Sequence, residues 1–148
     1  MTSVKRSIVV EKMLPLSADK IWRALTDSST IAKWLMPNDF EAKIGHRFTF
    51  KTQPMGDWDG IVHCEVLACE RPHRLSYSWR GGTDSNEKYG SRLDSVVTWT
   101  LTPAEGGTHL RMEHAGFDLP RNQSAYDTMS PGWGRVLDRI ATLASENG

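Results

Sequence analysis

Three segments in the second half of the chain alternate between apolar and polar residues, and this alternation constrains the fold more than any other feature. Successive side chains of a β-strand point to opposite faces, so alternation predicts strands that bury one face and expose the other. The residues that share the buried face are Leu75, Tyr77 and Trp79, then Val97, Trp99 and Leu101, then Leu110, Met112 and His114. Three such faces predict one antiparallel sheet that needs a covering layer on its apolar side.

The end of the chain provides that covering layer. Between residues 133 and 143, apolar side chains recur at the three- and four-residue spacing of an amphipathic helix. These side chains are Trp133, Val136, Leu137, Ile140 and Leu143. No other segment predicts a helix long enough to cover such a sheet, so we expect the terminal helix to pack on its concave face.

The approach to this helix, SPGWG at residues 130–134, contains one proline and two glycines. Each glycine disfavours a helix by about 1 kcal/mol relative to alanine. We expect a well-formed helix over residues 131–145, with Ser130 as its N-cap, and a less regular helical segment before it. In the alternative arrangement, one helix begins near Arg121 and contains Pro131 at a cost of about 3 kcal/mol.

Gly132 allows two interpretations. It either loosens the start of the helix or brings the helix backbone close to the sheet beside Trp133, leaving space there. The sequence alone does not separate them.

The first third of the chain predicts one strand and two short helices. Residues 7–14 are rich in β-branched side chains and end before a proline, which favours a strand. Residues 17–27 form a helix with Ser17 as a suitable N-cap, and residues 28–36 form a second helix. Further strands are predicted at residues 46–52, 60–70, 74–80, 93–103 and 107–117. Together these elements predict a single α+β domain over residues 1–148, in which a curved antiparallel sheet wraps around the long C-terminal helix.

The charge balance and the cysteines argue against several classes of partner and site. Eighteen basic and eighteen acidic residues give no net charge, which argues against nucleic acid or an anionic membrane surface as the main partner. No stretch approaches the roughly 20 apolar residues that span a bilayer. Cys64 and Cys69 match no metal or redox spacing, and alternation places them on opposite faces of one predicted strand. We therefore expect free thiols, no disulfide and a cytoplasmic protein.

Four segments of the chain occur together in one protein family. They are EKMLPLSADKIWRALTDSSTIAKWLMP, ERPHRLSYSW, GGTHLRMEHAGF and GWGRVLDRIATL. In this order they resemble the family named after the C-terminal domain of the activator of heat shock protein 90 ATPase, which belongs to the START-like (SRPBCC) superfamily. The resemblance extends from about Val9 to Leu143. It implies a helix-grip fold with a cavity between the terminal helix and the concave face of the sheet.

The resemblance also bears on the terminal helix and on function. In the family the GW pair lies within the long helix, which favours the continuous helix that contains Pro131. The eukaryotic co-chaperone has an additional N-terminal domain, for which these 148 residues have no room. We therefore do not expect chaperone activation. The wider superfamily includes cyclases and hydrolases, so an enzyme that uses the same cavity remains an alternative.

Sequence patterns for catalysis and metal binding are weak. The chain contains no G-x-S-x-G elbow, no phosphate-binding loop and no G-x-G-x-x-G motif. His109 and His114 lie on one predicted strand and face opposite ways, so they cannot bind a metal together. We expect no metal and no cofactor. On its apolar face His114 is either a core residue or a polar contact for a ligand. If the protein is an enzyme, His114, Tyr77 or Glu65 would act as the acid or base.

Large aromatic side chains are the stronger functional signal. A helix laid across a curved sheet leaves space that flat rings can line, and apolar walls with a few polar groups are typical of small-molecule sites. The candidate ligand-binding residues are Trp34, Phe48, Phe50, Tyr77, Trp79, Trp99, Met112, His114, Phe117, Trp133 and Leu137. Tyr77, Trp79 and His114 would supply the polar contacts.

The sequence therefore predicts a small binding protein, monomer or homodimer, that holds an apolar or aromatic small molecule. The alternatives are a cyclase- or hydrolase-type enzyme and a co-chaperone-like interaction module that uses the outer face of the sheet.

Overall fold

Six antiparallel strands form one curved sheet in the computed structural model, which describes residues 4–146. The strands are β1 (Val4–Leu14), β2 (Arg47–Lys51), β3 (Ile61–Glu70), β4 (Arg74–Gly81), β5 (Leu93–Ala104) and β6 (Gly107–Leu119). Their order across the sheet is β1-β6-β5-β4-β3-β2, so β1 and β2 are the edges. The helices are α1 (Ala18–Thr26), α2 (Ser28–Trp34) and α3 (Gln123–Glu146). This architecture confirms the predicted helix-grip fold.

The two short helices begin where capping residues allow them to begin. The Ser17 side chain accepts a hydrogen bond from the Lys20 backbone N–H at 3.3 Å, as predicted for the N-cap of α1. Asp27 ends α1 and caps α2 by accepting from the Thr30 N–H at 3.1 Å. Hydrogen bonds from the Thr30 and Ser29 hydroxyls lower the pKa of Asp27, so this cap is charged at neutral pH.

The strand alternation predicted from the sequence is confirmed. Every residue of the three predicted apolar faces is buried, from Leu75 on β4 to His114 on β6. These faces pack with α1, α2 and one side of α3 into a single hydrophobic core. The intervening side chains point to the opposite face of the sheet, where Ser76 and Ser78 are also buried and the exposed Arg80 pairs with Asp94 at 3.0 Å.

The terminal helix begins earlier than residue 131. α3 runs from Gln123 to Glu146 with Pro131 inside it, so the expected start at residue 131 is wrong and the alternative arrangement is correct. The Ser130 hydroxyl donates to the Tyr126 carbonyl at 2.7 Å in the turn where the proline removes a backbone donor. Ala125 is buried on the same helix as the apolar residues after Pro131, and we attribute the continuous helix to this tertiary packing, which outweighs local propensity.

Strand β3 contains a bulge that changes the face on which Cys69 lies. A register shift between Val66 and Ala68 places Cys69 opposite Leu75, on the buried face that Cys64 also occupies. The expectation that the two thiols face opposite sides is therefore wrong, because a bulge adds one residue to the strand.

Among residues 4–146, no helix combines the length and the apolar character needed to cross a membrane.

Candidate functional site

The eleven candidate ligand-binding residues are all buried, none more than 4% exposed. Their rings contact one another in edge-to-face pairs. Trp34 and Trp99 have ring centroids 5.5 Å apart at 75°, and Trp99 and Trp133 have centroids 5.8 Å apart at 76°. Such pairs fill space and stabilise a core. The centre of the predicted helix-sheet cavity is therefore occupied by packed side chains.

His114 is completely buried, and both of its ring nitrogens are hydrogen-bonded. The Trp133 indole N–H donates to Nδ1 at 3.1 Å, so the proton of the neutral ring is on Nε2. Nε2–H then donates to the Ser95 Oγ at 2.8 Å, and the Ser95 hydroxyl donates to the Trp79 carbonyl at 2.9 Å. Burial lowers the pKa of His114 to about 3, so the ring is neutral at physiological pH.

This chain of hydrogen bonds limits the chemistry available to Ser95 and His114. A nucleophilic serine needs a histidine nitrogen with a free lone pair to accept its proton. Here Nε2 is the donor and Nδ1 is occupied by Trp133. The pair has the spacing of a nucleophile and its base, but its protonation is the reverse of what nucleophilic attack requires.

Tyr77 is also satisfied inside the core. Its hydroxyl oxygen accepts from the Trp99 indole N–H at 3.0 Å, and burial raises its pKa. Of the three predicted polar contacts, Tyr77 and His114 are thus held by other core residues. Trp79 differs because it is among the residues that line an open groove.

That groove, of about 260 Å³, lies between the end of α2, the middle of α3 and the loop that joins β4 to β5. The groove is lined by Leu35, Met36, Trp79, Tyr89, Thr128, Met129, Gly132, Trp133, Arg135, Val136 and Arg139. Most of these side chains are apolar or aromatic, and Thr128 and Tyr89 each bring a hydroxyl group. Arg135 and Arg139 are exposed. Burial raises the pKa of Tyr89, so this hydroxyl stays protonated.

A smaller crevice of about 60 Å³ adjoins the groove. Both spaces are bordered by Met36, Trp79, Tyr89 and Met129. Beyond these residues the crevice reaches Trp58, whose ring lies 6.1 Å from that of Tyr89. Two of the four shared residues are methionines, whose side chains adapt their shape easily.

Gly132 forms part of the groove wall. A Cβ atom added at this position would meet nothing within 4 Å, so the helix backbone does not approach the sheet closely here. The close-approach interpretation of Gly132 is therefore wrong. The glycine instead leaves open space beside Trp133, which lines the same groove.

The other wall is the loop over residues 82–92, and Asn122 holds it. The buried Asn122 amide donates to the Ser91 hydroxyl at 2.9 Å and to the Arg92 carbonyl at 2.8 Å. Gly82 has φ +85°, and a Cβ there would overlap the Ser91 carbonyl. The loop therefore has a defined conformation that presents Tyr89 to the groove.

The predicted ligand-binding residues and the residues that line the groove overlap only in part. Trp79 and Trp133 line the groove. Phe48 borders a different, polar depression on the outer face, where Arg47 pairs with Glu65 at 3.5 Å. The other predicted residues lie in the packed core: Trp34, Phe50, Tyr77, Trp99, Met112, His114, Phe117 and Leu137.

Three residues of the groove lining, Met36, Tyr89 and Met129, were not among the predicted ligand-binding residues. Tyr89 is the one aromatic residue in the polar stretch GGTDSNEKYGS, and this isolated ring was the available signal. Met36 and Met129 follow no alternating or helical pattern that marks a site. In the described part of the chain no three His, Cys, Asp or Glu side chains lie together as metal ligands would.

Several solved structures share this fold. Protein MLL2253 from Mesorhizobium loti is 40% identical, with a TM-score of 0.82, and the match covers 97% of this chain and 99% of that one. Protein BH1534 from Bacillus halodurans is 25% identical, with a TM-score of 0.74, over 97% and 99% of the two chains. CalU16 from Micromonospora echinospora is 26% identical, with a TM-score of 0.73, over 95% and 77%. No curated protein matches the chain.

A family model matches most of this chain. The model for Activator of Hsp90 ATPase homolog 1-like protein matches residues 15–145, a range that contains α1, α2, strands β2 to β6 and every residue of the groove. The strand order and the long terminal helix agree with the helix-grip arrangement of START-like proteins. The chain therefore belongs to the Activator of Hsp90 ATPase homolog 1-like protein family, within the START-like (SRPBCC) fold.

Proposed function

We propose that this protein binds an apolar or aromatic small molecule in the groove between α2, α3 and the loop over residues 82–92. The observation that carries the proposal is an open groove of about 260 Å³ whose lining includes the apolar side chains of Trp79, Met129, Trp133 and Val136. Burying a ligand's apolar surface against such side chains is favourable by roughly 25 cal/mol per Å². Small-molecule sites are typically apolar and concave with a few polar groups, as this groove is.

The size of the groove sets the size of the ligand. Together with the adjoining crevice of about 60 Å³, the groove of about 260 Å³ reaches the lower limit of known small-molecule sites, about 300 Å³. A molecule of one or two rings fits this space without displacing the core. Trp99 packs against Trp133 of the groove, and Trp34 packs against Trp99. Neither Trp34 nor Trp99 contacts the ligand in this proposal.

Neither alternative function has an observation of equal weight. For an enzyme, His114 is the candidate base, and its two nitrogens are already engaged by Trp133 and Ser95. Glu65 lies in the depression of the outer face and pairs with Arg47. For an interaction module, the outer face offers charged pairs such as that of Arg80 with Asp94, which are worth little at a solvated surface.

The cytoplasmic location and a monomeric or homodimeric state belong to the same proposal. The two cysteines support the location, because their spacing in the sequence fits neither a disulfide framework nor a secreted scaffold.

A matched pair of α3 variants tests the site. Gly132 lines the groove and Gly134 does not, although a Cβ would meet nothing within 4 Å at either position. Gly132→Leu should fill the groove and weaken binding of a neutral bicyclic probe, 2-naphthamide, whereas Gly134→Leu should leave it unchanged. Quenching of tryptophan fluorescence reports binding, because Trp79 and Trp133 border the groove.

The binding of 2-naphthamide should also persist at high salt, because the contact is apolar. Equal affinity in the two leucine variants, with both folded by circular dichroism, would contradict the proposed site. So would a failure of the parent protein to bind any neutral one- or two-ring probe.

A further inference from the structure

Two arginines of α3 line the groove beside its apolar side chains. Arg135 and Arg139 lie one helical turn apart, so their side chains project from the same face of the helix. Both are exposed, and both border the same groove as Val136. One side of an otherwise apolar site therefore carries two positive charges.

Two acidic residues of the segments that border the groove are engaged elsewhere. Asp138, the next acidic residue along α3, pairs with Lys12 of β1. Asp84 of the wall loop pairs with Arg92 at 2.8 Å and with Arg121 at 3.2 Å. No ion pair within residues 4–146 involves Arg135 or Arg139.

Two like charges one turn apart on a helix repel each other, and no carboxylate of residues 4–146 forms an ion pair with either arginine. A bound anion would relieve it. Arginine is well suited to this role, because its planar guanidinium donates two parallel hydrogen bonds to a carboxylate. Most of the other exposed arginines form an ion pair with a carboxylate of the protein, as Arg80 does with Asp94.

We infer that the ligand of the groove is an apolar or aromatic molecule that carries one carboxylate. Its apolar body packs on Trp79 and Met129, and its carboxylate binds Arg135 and Arg139 at the rim. This inference rests on the proposed function, since it names the class of molecule that the same groove accepts.

A matched pair of probes separates the acid from the apolar body. 2-Naphthoate and 2-naphthamide have the same ring system and nearly the same shape, and only the first is charged at neutral pH. At low salt the parent protein should bind 2-naphthoate about fivefold more tightly, the advantage expected for an ion pair at a solvated rim. High salt should remove the advantage without changing the affinity for 2-naphthamide.

The variants Arg135→Gln and Arg139→Gln should each reduce the preference for 2-naphthoate, and the double variant should abolish it. Arg111→Gln is the control. It removes the same charge from the outward side of β6, where Arg111 lies between the buried residues Leu110 and Met112. This variant should retain the preference.

The possible failures are distinguishable. If 2-naphthamide and 2-naphthoate bind equally, the groove binds apolar molecules and the inferred carboxylate is wrong. If the double variant keeps the full preference, the carboxylate binds elsewhere and the inference is again wrong. If neither probe binds the parent protein, the proposed function fails, and the inference fails with it.

Discussion

Between pH 7 and pH 5, acid should destabilise this protein at His114, whose ring is neutral and fully buried. Its pKa is about 3 in the folded protein, against the 6.5 of an unperturbed histidine. As the pH falls below 6.5, the unfolded chain binds a proton at this position and the folded protein does not. Stability that is present at neutral pH is therefore lost progressively until about pH 3.

The magnitude follows from these two values. Between pH 7 and pH 5, protonation of the unfolded chain at His114 should lower the free energy of unfolding by about 2 kcal/mol. Asp27 has a lowered pKa, so its own loss of stability falls mainly below this window. Urea unfolding followed by tryptophan fluorescence at the two pH values measures the difference directly.

The variant His114→Gln isolates the effect, because it removes the titrating group and keeps a hydrogen-bonding side chain. It should be less stable than the parent at pH 7 and should lose about 2 kcal/mol less on going to pH 5. His73→Gln changes an exposed histidine and should behave like the parent. Parallel pH dependences for the parent and His114→Gln would refute a neutral, buried His114.

If His114→Gln does not fold, the same claim can be tested in the parent protein. Nitrogen-15 NMR of the histidine rings should show His114 with the proton on Nε2 and no change down to pH 5. A ring that becomes doubly protonated near pH 6 would contradict the hydrogen-bond assignment.

Three further substitutions test the packing around the groove. Trp133→Ala should lower the free energy of unfolding in urea by about 3–5 kcal/mol, and a loss below about 1 kcal/mol would place the ring on the surface. Gly132→Ala should raise the stability by about 1 kcal/mol, because a Cβ meets no neighbour there; a lower melting temperature would contradict a helical Gly132. Asn122→Ala should cost about 1–3 kcal/mol and speed hydrogen exchange over residues 82–92; unchanged exchange would show that Asn122 does not hold that loop.

The strands were predictable because their signal is local. The two-residue period of Leu75, Tyr77 and Trp79 assigns each side chain to a face without any knowledge of distant contacts. The N-cap of α1 at Ser17 is equally local. Where the signal was broken by one extra residue, at the bulge near Leu67, the predicted face of Cys69 was wrong.

The course of the terminal helix was not a local property. Pro131 and Gly132 favour a helix that begins late, and the structure overrides them because Ala125 is buried on the same helix before the proline. Propensity costs of a few kcal/mol are smaller than the gain from packing an amphipathic face. Only the resemblance to a known family indicated the correct arrangement.

The groove was the least predictable feature. The aromatic residues were correctly expected inside the protein, but the sequence does not show whether rings line a space or fill it. The groove itself joins Met36, Tyr89 and Gly132 from three separate segments. The loop that carries Tyr89 takes its shape from Asn122, 31 residues beyond Ser91.

Carbon-13 NMR of the methionine methyl groups tests most directly the claim that the ligand binds in the groove. Methionines lie in the groove lining, in the buried core and on the exposed surface. Met36 and Met129 line it, Met112 is fully buried in the core, and Met13 is exposed on β1. Titration with 2-naphthamide should shift the resonances of Met36 and Met129 and leave those of Met112 and Met13 in place. A shift confined to Met112 would place the ligand between the sheet and α3, and would contradict binding in the groove.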